Sequence, residues 1–296
     1  MGRVSAFRSD AGRDAYVTAY DTIVAGAPVP TAHADVPTPF GTTHVLLAGA
    51  PDGPPLVGLH GNTLSATMWL AHLDTLAASH RVVMVDTIGD LGRSVATRSM
   101  RSRADVVAWL DAVVEGLGIE RAAFLGHSYG AWMATTYALA HPDAVDRLAL
   151  LAPAAVFVRV KPAWIARAVS TYVVRPTPAR VGRFMESTCT AGTVAAFGSS
   201  DFGRVVELHV TGAPAFRAAA REAVPTTYRP DALSVLTMPV LLVVGRVETV
   251  CDGSRSSVVA RAAIPHARIE LLDDANHSVF ADQQEAVDRI LAEFLA

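Results

Sequence analysis

The stretch Gly126-His127-Ser128-Tyr129-Gly130 sets a serine between two glycines, a spacing suited to nucleophilic chemistry. The apolar run Ala122-Ala123-Phe124-Leu125 enters it and the small-residue stretch Ala131 to Ala140 leaves it, so the pattern predicts a strand that turns sharply into a helix. Such a turn strains the central residue and leaves no room for a Cβ on its neighbours, a need that Gly126 and Gly130 meet. The strain lifts the Ser128 hydroxyl above the carboxyl edge of a sheet, over a helix N-terminus that favours developing negative charge.

A serine hydroxyl attacks only when a base takes its proton, and the base in turn needs a carboxylate that fixes its tautomer. Parallel sheets carrying such an elbow place these groups in the order Ser, acid, His, with the histidine just past the last strand. Of ten histidines, His277 stands there. His266 precedes that strand, His60 and His127 flank other motifs, and His209 lies in a different region. For the acid, Glu248 and Asp252 both follow the run Pro239 to Gly245. Glu248 is favoured because it lies three residues beyond Gly245, whereas Asp252 suits the N-cap of the next helix. A tetrahedral oxyanion also needs two donors. The Tyr129 amide is one; Asn62, after Leu59-His60-Gly61, is the expected second, with Thr63 as the fallback.

The elements that must hold these groups read as an α/β protein. Strand-like runs at Thr43 to Ala48, Pro55 to Leu59, Arg81 to Asp86, Ala122 to His127, Arg147 to Ala152, Pro239 to Gly245 and Arg268 to Leu272 alternate with helical patterns. These helical patterns cover Ala66 to Ser79, Arg101 to Leu117, Tyr129 to Ala140, Ser254 to Ile264 and Val279 to Leu295. His33 to Thr38 suits an edge strand because of its prolines, and Ala11 to Val24 an N-terminal helix. The expectation is a mostly parallel central sheet with helices on both faces. The alternation stops after Ala152, and Trp164, Ile165, Ala168, Val169, Tyr172 and Val173 recur at helical spacing. Residues 1–153 and 236–296 are therefore expected to form the core, and 154–235 an inserted helical cap. The stretch Asp86 to Ser94 contains glycines without phosphate-loop spacing and reads as a structural turn.

Composition narrows the partners. The 296 residues are 51% hydrophobic and 18% charged, with net charge −3, which gives no overall attraction for nucleic acid or an anionic membrane. Residues 155–235 carry ten basic against five acidic residues, a bias that would suit carboxylate-bearing substrates but more simply reflects arginines on solvated helix faces. Lys161 is the one lysine in the chain and suggests no role by itself. Cys189 and Cys251 build neither a disulfide framework nor a metal site and are expected as free thiols. Met1 to Ala6 has no apolar run behind it, and the longest apolar run, Leu148 to Val158, carries Pro153 and falls well short of the roughly 20 residues a membrane helix needs. A cytoplasmic protein without cofactor or metal, acting on a small molecule and compatible with a homodimer, is expected.

With these residues assembled, the chain resembles bacterial α/β-hydrolase-fold carboxylesterases of the naproxen-esterase type. The resemblance runs from about Ala15 to the C-terminus and rests on Phe40-Gly41-Thr42-Thr43-His44-Val45, Leu59-His60-Gly61 with Thr67-Met68-Trp69, Asp86-Thr87-Ile88-Gly89-Asp90, the Ser128 elbow and Gly245-x-x-Glu248. It implies cofactor-free ester hydrolysis beneath a helical cap, with Glu248 as the acid. Two positions depart from it: Asn276 stands before His277 where relatives commonly have Gly, and the cap sequence matches poorly. The same site chemistry would also serve a biosynthetic cyclase, a lyase, a thioesterase or a carbon–carbon bond hydrolase. A non-catalytic ligand receptor is the third reading. An Asp in place of Ser128 would be wanted for dehalogenase or epoxide hydrolase chemistry.

Overall fold

The computed structural model describes residues 4–218 and 223–296. Met1 to Arg3 of the leader reading, and Arg221 and Glu222 of the charge count over 155–235, lie outside the described residues.

Eight runs become strands of one nine-stranded sheet, whose ninth, Val95–Ala96, pairs antiparallel with Gly41 and Thr42. We number them β1 (Thr31–Thr38), β2 (Gly41–Ala48), β3 (Pro55–Leu59), β4 (Arg81–Val85), β5 (Ala122–His127), β6 (Val145–Leu151), β7 (Val240–Gly245) and β8 (Arg268–Leu272). Their order across the sheet is β1-β2-β4-β3-β5-β6-β7-β8, with β2 antiparallel to both its neighbours and every pair from β4 to β8 parallel. The β-branched and leucine content suits strands covered on both faces. In β5, Phe124 enters one apolar layer and Leu125 the other; in β7, Leu242 and Val244 oppose Leu241 and Val243. β1, which carries Pro37, is an edge strand, where a missing amide donor is tolerated.

Helices Arg103–Gly116, Tyr129–Ala140 and Gly253–Ala263 pack on one face. Asp10–Ala25 and Gln284–Leu295 contribute to the apolar layer of the other. Local capping fixes their starts: Ser102 and Asp105 form a reciprocal capping box, Ser9 accepts from the Gly12 amide, and Asp252 from that of Arg255. Between β6 and β7 the chain forms helices Pro162–Val169, Pro178–Glu186, Ala191–Ala195 and Asp201–Ala215. The first continues through a wider turn over Ser170–Val174.

Two expectations differ in detail, and one pairing is new. The pattern at Ala66 to Ser79 forms a tight-turned Ala66–His72 followed by Leu73–Leu76, because its start is tied to the sheet through the bond from the Ala66 amide to the Asp86 carboxylate (2.8 Å). The C-terminal pattern divides into Val279–Asp282 and Gln284–Leu295, where Gln283 leaves helical backbone and donates to the Asp274 carbonyl. The pairing of Ala6–Phe7 with Phe216–Arg217 has no sequence signal, since two-residue strands are too short for any periodicity. No helix among the described residues is long and apolar enough to cross a membrane.

Candidate active site

The elbow forms at the carboxyl end of β5. Ser128 holds φ 53° and ψ −111°, a left-handed conformation unusual for a side chain with a Cβ. The close approach behind it explains both glycines. A Cβ on Gly130 would lie 2.0 Å from the Leu59 carbonyl oxygen, and one on Gly126 would lie 2.5 Å from the Ala131 Cα. Ser128 is anchored by its amide donating to the Leu151 carbonyl, while its own carbonyl accepts from Ala154.

Three chain segments far apart in sequence meet over this serine. His277 Nε2 lies 2.8 Å from Ser128 Oγ, and His277 Nδ1 lies 2.9 Å from Glu248 Oε2. All three residues are at least nine-tenths buried, so the contacts are shielded from water. With Nδ1–H donating to the carboxylate, Nε2 presents its lone pair to the serine hydroxyl. Glu248 is itself fixed, since its Oε1 accepts the amides of Val250 (2.7 Å) and Cys251 (3.3 Å). Asp252 instead caps helix Gly253–Ala263 and makes no contact with His277. Gly245 allows the two loops to cross, because a Cβ there would meet the Ala275 carbonyl oxygen at 2.0 Å.

Asn276, which departs from the family pattern, is the knot of this crossing. Its Oδ1 accepts from the His277 amide (2.7 Å), the Thr249 amide (2.9 Å) and the Thr249 hydroxyl (2.9 Å). Its Nδ2 donates to the carbonyls of Ser187 and Cys189. One amide side chain thus joins the acid loop, the histidine loop and the segment after helix Pro178–Glu186. A glycine could supply none of these bonds. Lys161 adds a further tie that composition alone did not reveal: its Nζ donates to the Glu248 carbonyl (2.8 Å).

The loop after β3 faces the same space. His60 accepts the Thr87 amide at Nε2 and donates through Nδ1 to the Gly61 carbonyl (2.8 Å), which orients the turn. Gly61 is required here, because a Cβ would come within 2.6 Å of His127 Nδ1. The Thr63 amide already donates to Asp90 Oδ2 (2.7 Å), which removes the fallback donor. The Asn62 amide has no such partner among the described residues. Tyr129, at the head of helix Tyr129–Ala140, turns its phenol away to the Ala223 carbonyl. Asp86 and Asp90 thus give the Asp86 to Ser94 turn a structural role, accepting backbone amides on both sides. Burial raises the Asp90 carboxyl to about 6, against the pull of His60 and the two amides. Burial lowers His127 well below its ordinary range, so it stays neutral while its Nε2–H donates to the His277 carbonyl.

Above Ser128 lies a cavity of about 110 Å³. Leu64, Trp164, Ala168, Tyr172, Phe184 and Met185 supply its apolar wall, and Thr63, Thr188 and Ser278 its hydroxyls. Asn62, His127 and His277 also border it. Tyr172 is held by its hydroxyl contact with His209 Nε2 (2.8 Å), and burial lowers His209 to about 4. Among the described residues no arginine or lysine borders the cavity, so the described basic residues of 155–235 give a bound substrate no charge partner there. Both cysteines are free and buried, and burial raises each thiol to about 11. No group of three or more metal-ligating side chains is assembled among the described residues.

Residues 54–284 match the family described as alpha/beta hydrolase fold. The chain belongs to the α/β-hydrolase family. Its relatives include carboxylesterase YbfK of Bacillus subtilis, 27% identical over 95% of this chain and 93% of that protein. The uncharacterized carboxylesterase nap of the same organism is 38% identical over 41% of each chain. Among solved structures, naproxen esterase (carboxylesterase NP) from Bacillus subtilis superimposes with a TM-score of 0.87 at 26% identity, covering 97% of this α/β hydrolase and 99% of that chain. The naproxen-esterase resemblance read from the sequence thus agrees with the whole-chain comparison.

Proposed function

We propose that this α/β hydrolase cleaves carboxylic esters through an acyl-enzyme on Ser128. The observation that carries the reading is the unbroken line from Ser128 Oγ to His277 Nε2 (2.8 Å) and from His277 Nδ1 to Glu248 (2.9 Å). His277 removes the hydroxyl proton as Oγ attacks the ester carbon, and Glu248 stabilises the imidazolium so formed. The amides of Tyr129 and Asn62 hold the oxyanion. His277 returns the proton to the leaving alcohol; a water then enters by the same base and releases the acid, restoring the serine. No step in this sequence calls for a cofactor.

Residues 154–235 act as the cap that covers the substrate. At about 110 Å³ the cavity is small beside the roughly 300 Å³ at which drug-sized ligand pockets begin, and its wall is uncharged. This supports a short, neutral acyl group. Kinetics with a p-nitrophenyl ester series test both points: wild type should turn over acetate and butyrate esters faster than the laurate, and Ser128→Ala should not. Equal turnover by Ser128→Ala would refute the serine mechanism, and a laurate preference would refute the assigned acyl size.

A further inference from the structure

The cover of the site carries an outer face for which catalysis has no use. Helix Pro162–Val169 and its continuation to Val174 turn Trp164, Ala168 and Tyr172 toward the cavity. On the other side Ile165, Val169 and Val173 follow at four-residue intervals, with Val174 beside them, and they are 48%, 46%, 73% and 73% exposed. Single exposed aliphatics are ordinary, but four on ten residues of one strap form a patch.

The charge around this patch is equally lopsided. Between Arg159 and Glu186 the sequence has Arg159, Lys161, Arg167, Arg175, Arg180 and Arg183 against one carboxylate, Glu186. Elsewhere nine arginines, Arg13, Arg93, Arg98, Arg121, Arg147, Arg204, Arg229, Arg246 and Arg268, each meet a carboxylate, and the other eight described are scattered over the chain. Among the described residues none of these six cations on the strap and its flanks does so. Arg167 lies over the Phe184 ring and donates to the Arg183 carbonyl, and Arg180 donates to Ser170. The overall net charge of −3 hides this local excess.

We propose that this strap is an anionic-lipid docking surface that seats the cap on a phospholipid interface. Exposed aliphatics flanked by unpaired cations match a layer whose surface is negative and whose interior is apolar. An acidic protein face would satisfy the cations but not Val173 and Val174. A second copy of this chain would bring the same cations against themselves, because a two-fold contact repeats one patch on both sides. Docking here would place the inner face of the same helix, and hence the cavity, close to lipid-dissolved esters. This consequence rests on the proposed esterase activity; the docking itself does not.

Co-sedimentation of the full chain with vesicles tests it. Binding is expected to vesicles of mixed zwitterionic and anionic phospholipid, to be lost in raised salt, and to be absent from purely zwitterionic vesicles. Arg167→Glu with Arg175→Glu should lower partitioning roughly tenfold or more, given about 1 kcal/mol for each basic residue at such a surface. Val169→Asp with Val173→Asp should do likewise, and circular dichroism confirms that the variants remain folded. Both pairs should keep wild-type turnover of a water-soluble short ester. Equal binding to both vesicle types, no binding at all, or a wild-type dimer that Val173→Asp converts to monomer would overturn the proposal. If binding appears without any ester turnover, the docking surface stands and the esterase reading fails.

Discussion

The floor of the site and its cover are built by opposite rules. Around Ser128 the positioning groups are met: Glu248 takes two amides as well as His277, and the Asn276 side chain makes bonds to four other residues. Over it, between Arg159 and Arg183, six cations lack carboxylates among the described residues, and aliphatics of the strap Pro162 to Val174 face solvent. The floor must hold atoms in near-attack geometry, where displacement of an ångström costs rate. In the proposed mechanism the cover has only to enclose a substrate. Its energetic demands are looser.

The sharpest way to break this comparison is to remove one atom from the floor. Ser128→Ala should lower kcat for a soluble ester by about 10⁴-fold or more, and His277→Ala by a similar factor, measured by steady-state kinetics with circular dichroism to verify folding. The two acids beyond β7 separate next. Glu248→Gln should lower kcat by about 10³ to 10⁴-fold, while Asp252→Ala leaves kcat within about twofold and costs roughly 1 kcal/mol of stability through the lost N-cap. Loss of kcat in Asp252→Ala with activity retained in Glu248→Gln would reverse their assignment.

Smaller effects sharpen the boundary between floor and cover. Asn276→Ala should lower kcat by about 10 to 100-fold with KM changed little, because it loosens both loops without touching the substrate. Trp164→Ala, in the cover, should do the reverse, extending the preference to longer acyl chains with kcat for acetate changed only severalfold. A change confined to KM in Asn276→Ala would place that residue with the cover instead.

The Asp90 carboxyl supplies a test by pH. Its folded value of about 6 lies above the usual 3.8, so the native state binds the proton more tightly than the unfolded chain. Its contribution is fully present below about pH 4 and is lost as pH rises through about 6, a difference on the order of 3 kcal/mol. Denaturant titrations of wild type and Asp90→Asn between about pH 4 and pH 7 should therefore shift in favour of the variant as pH rises. A constant difference would contradict this.

Much of the floor was legible because its chemistry is written in local patterns. The β5 run, two glycines and a following helix are contiguous, and the order Ser128, Glu248, His277 follows from where parallel strands end. The structure brings those three side chains together. What the sequence left open was non-local. Asn276 read as a departure, since its partners Thr249, Ser187 and Cys189 are unrelated to it in sequence. The Thr63 amide is taken by Asp90, 27 residues beyond it, a tie that no local pattern carries. Lys161 carries no local signal, because the fold alone sets its ammonium beside the Glu248 carbonyl. In the cover, helical spacing picks out Trp164, Ile165, Ala168, Val169, Tyr172 and Val173 but does not separate the cavity-facing side from the exposed one, because both are apolar.

The most direct test of the central claim is covalent. After incubation with a fluorophosphonate, intact-mass and peptide mass spectrometry should find one phosphonyl group per chain, carried by the peptide containing Ser128, with turnover lost in proportion; Ser128→Ala should remain unmodified. A protein that hydrolyses esters yet takes no adduct at Ser128, or takes it on another residue with equal loss of turnover, would contradict the account.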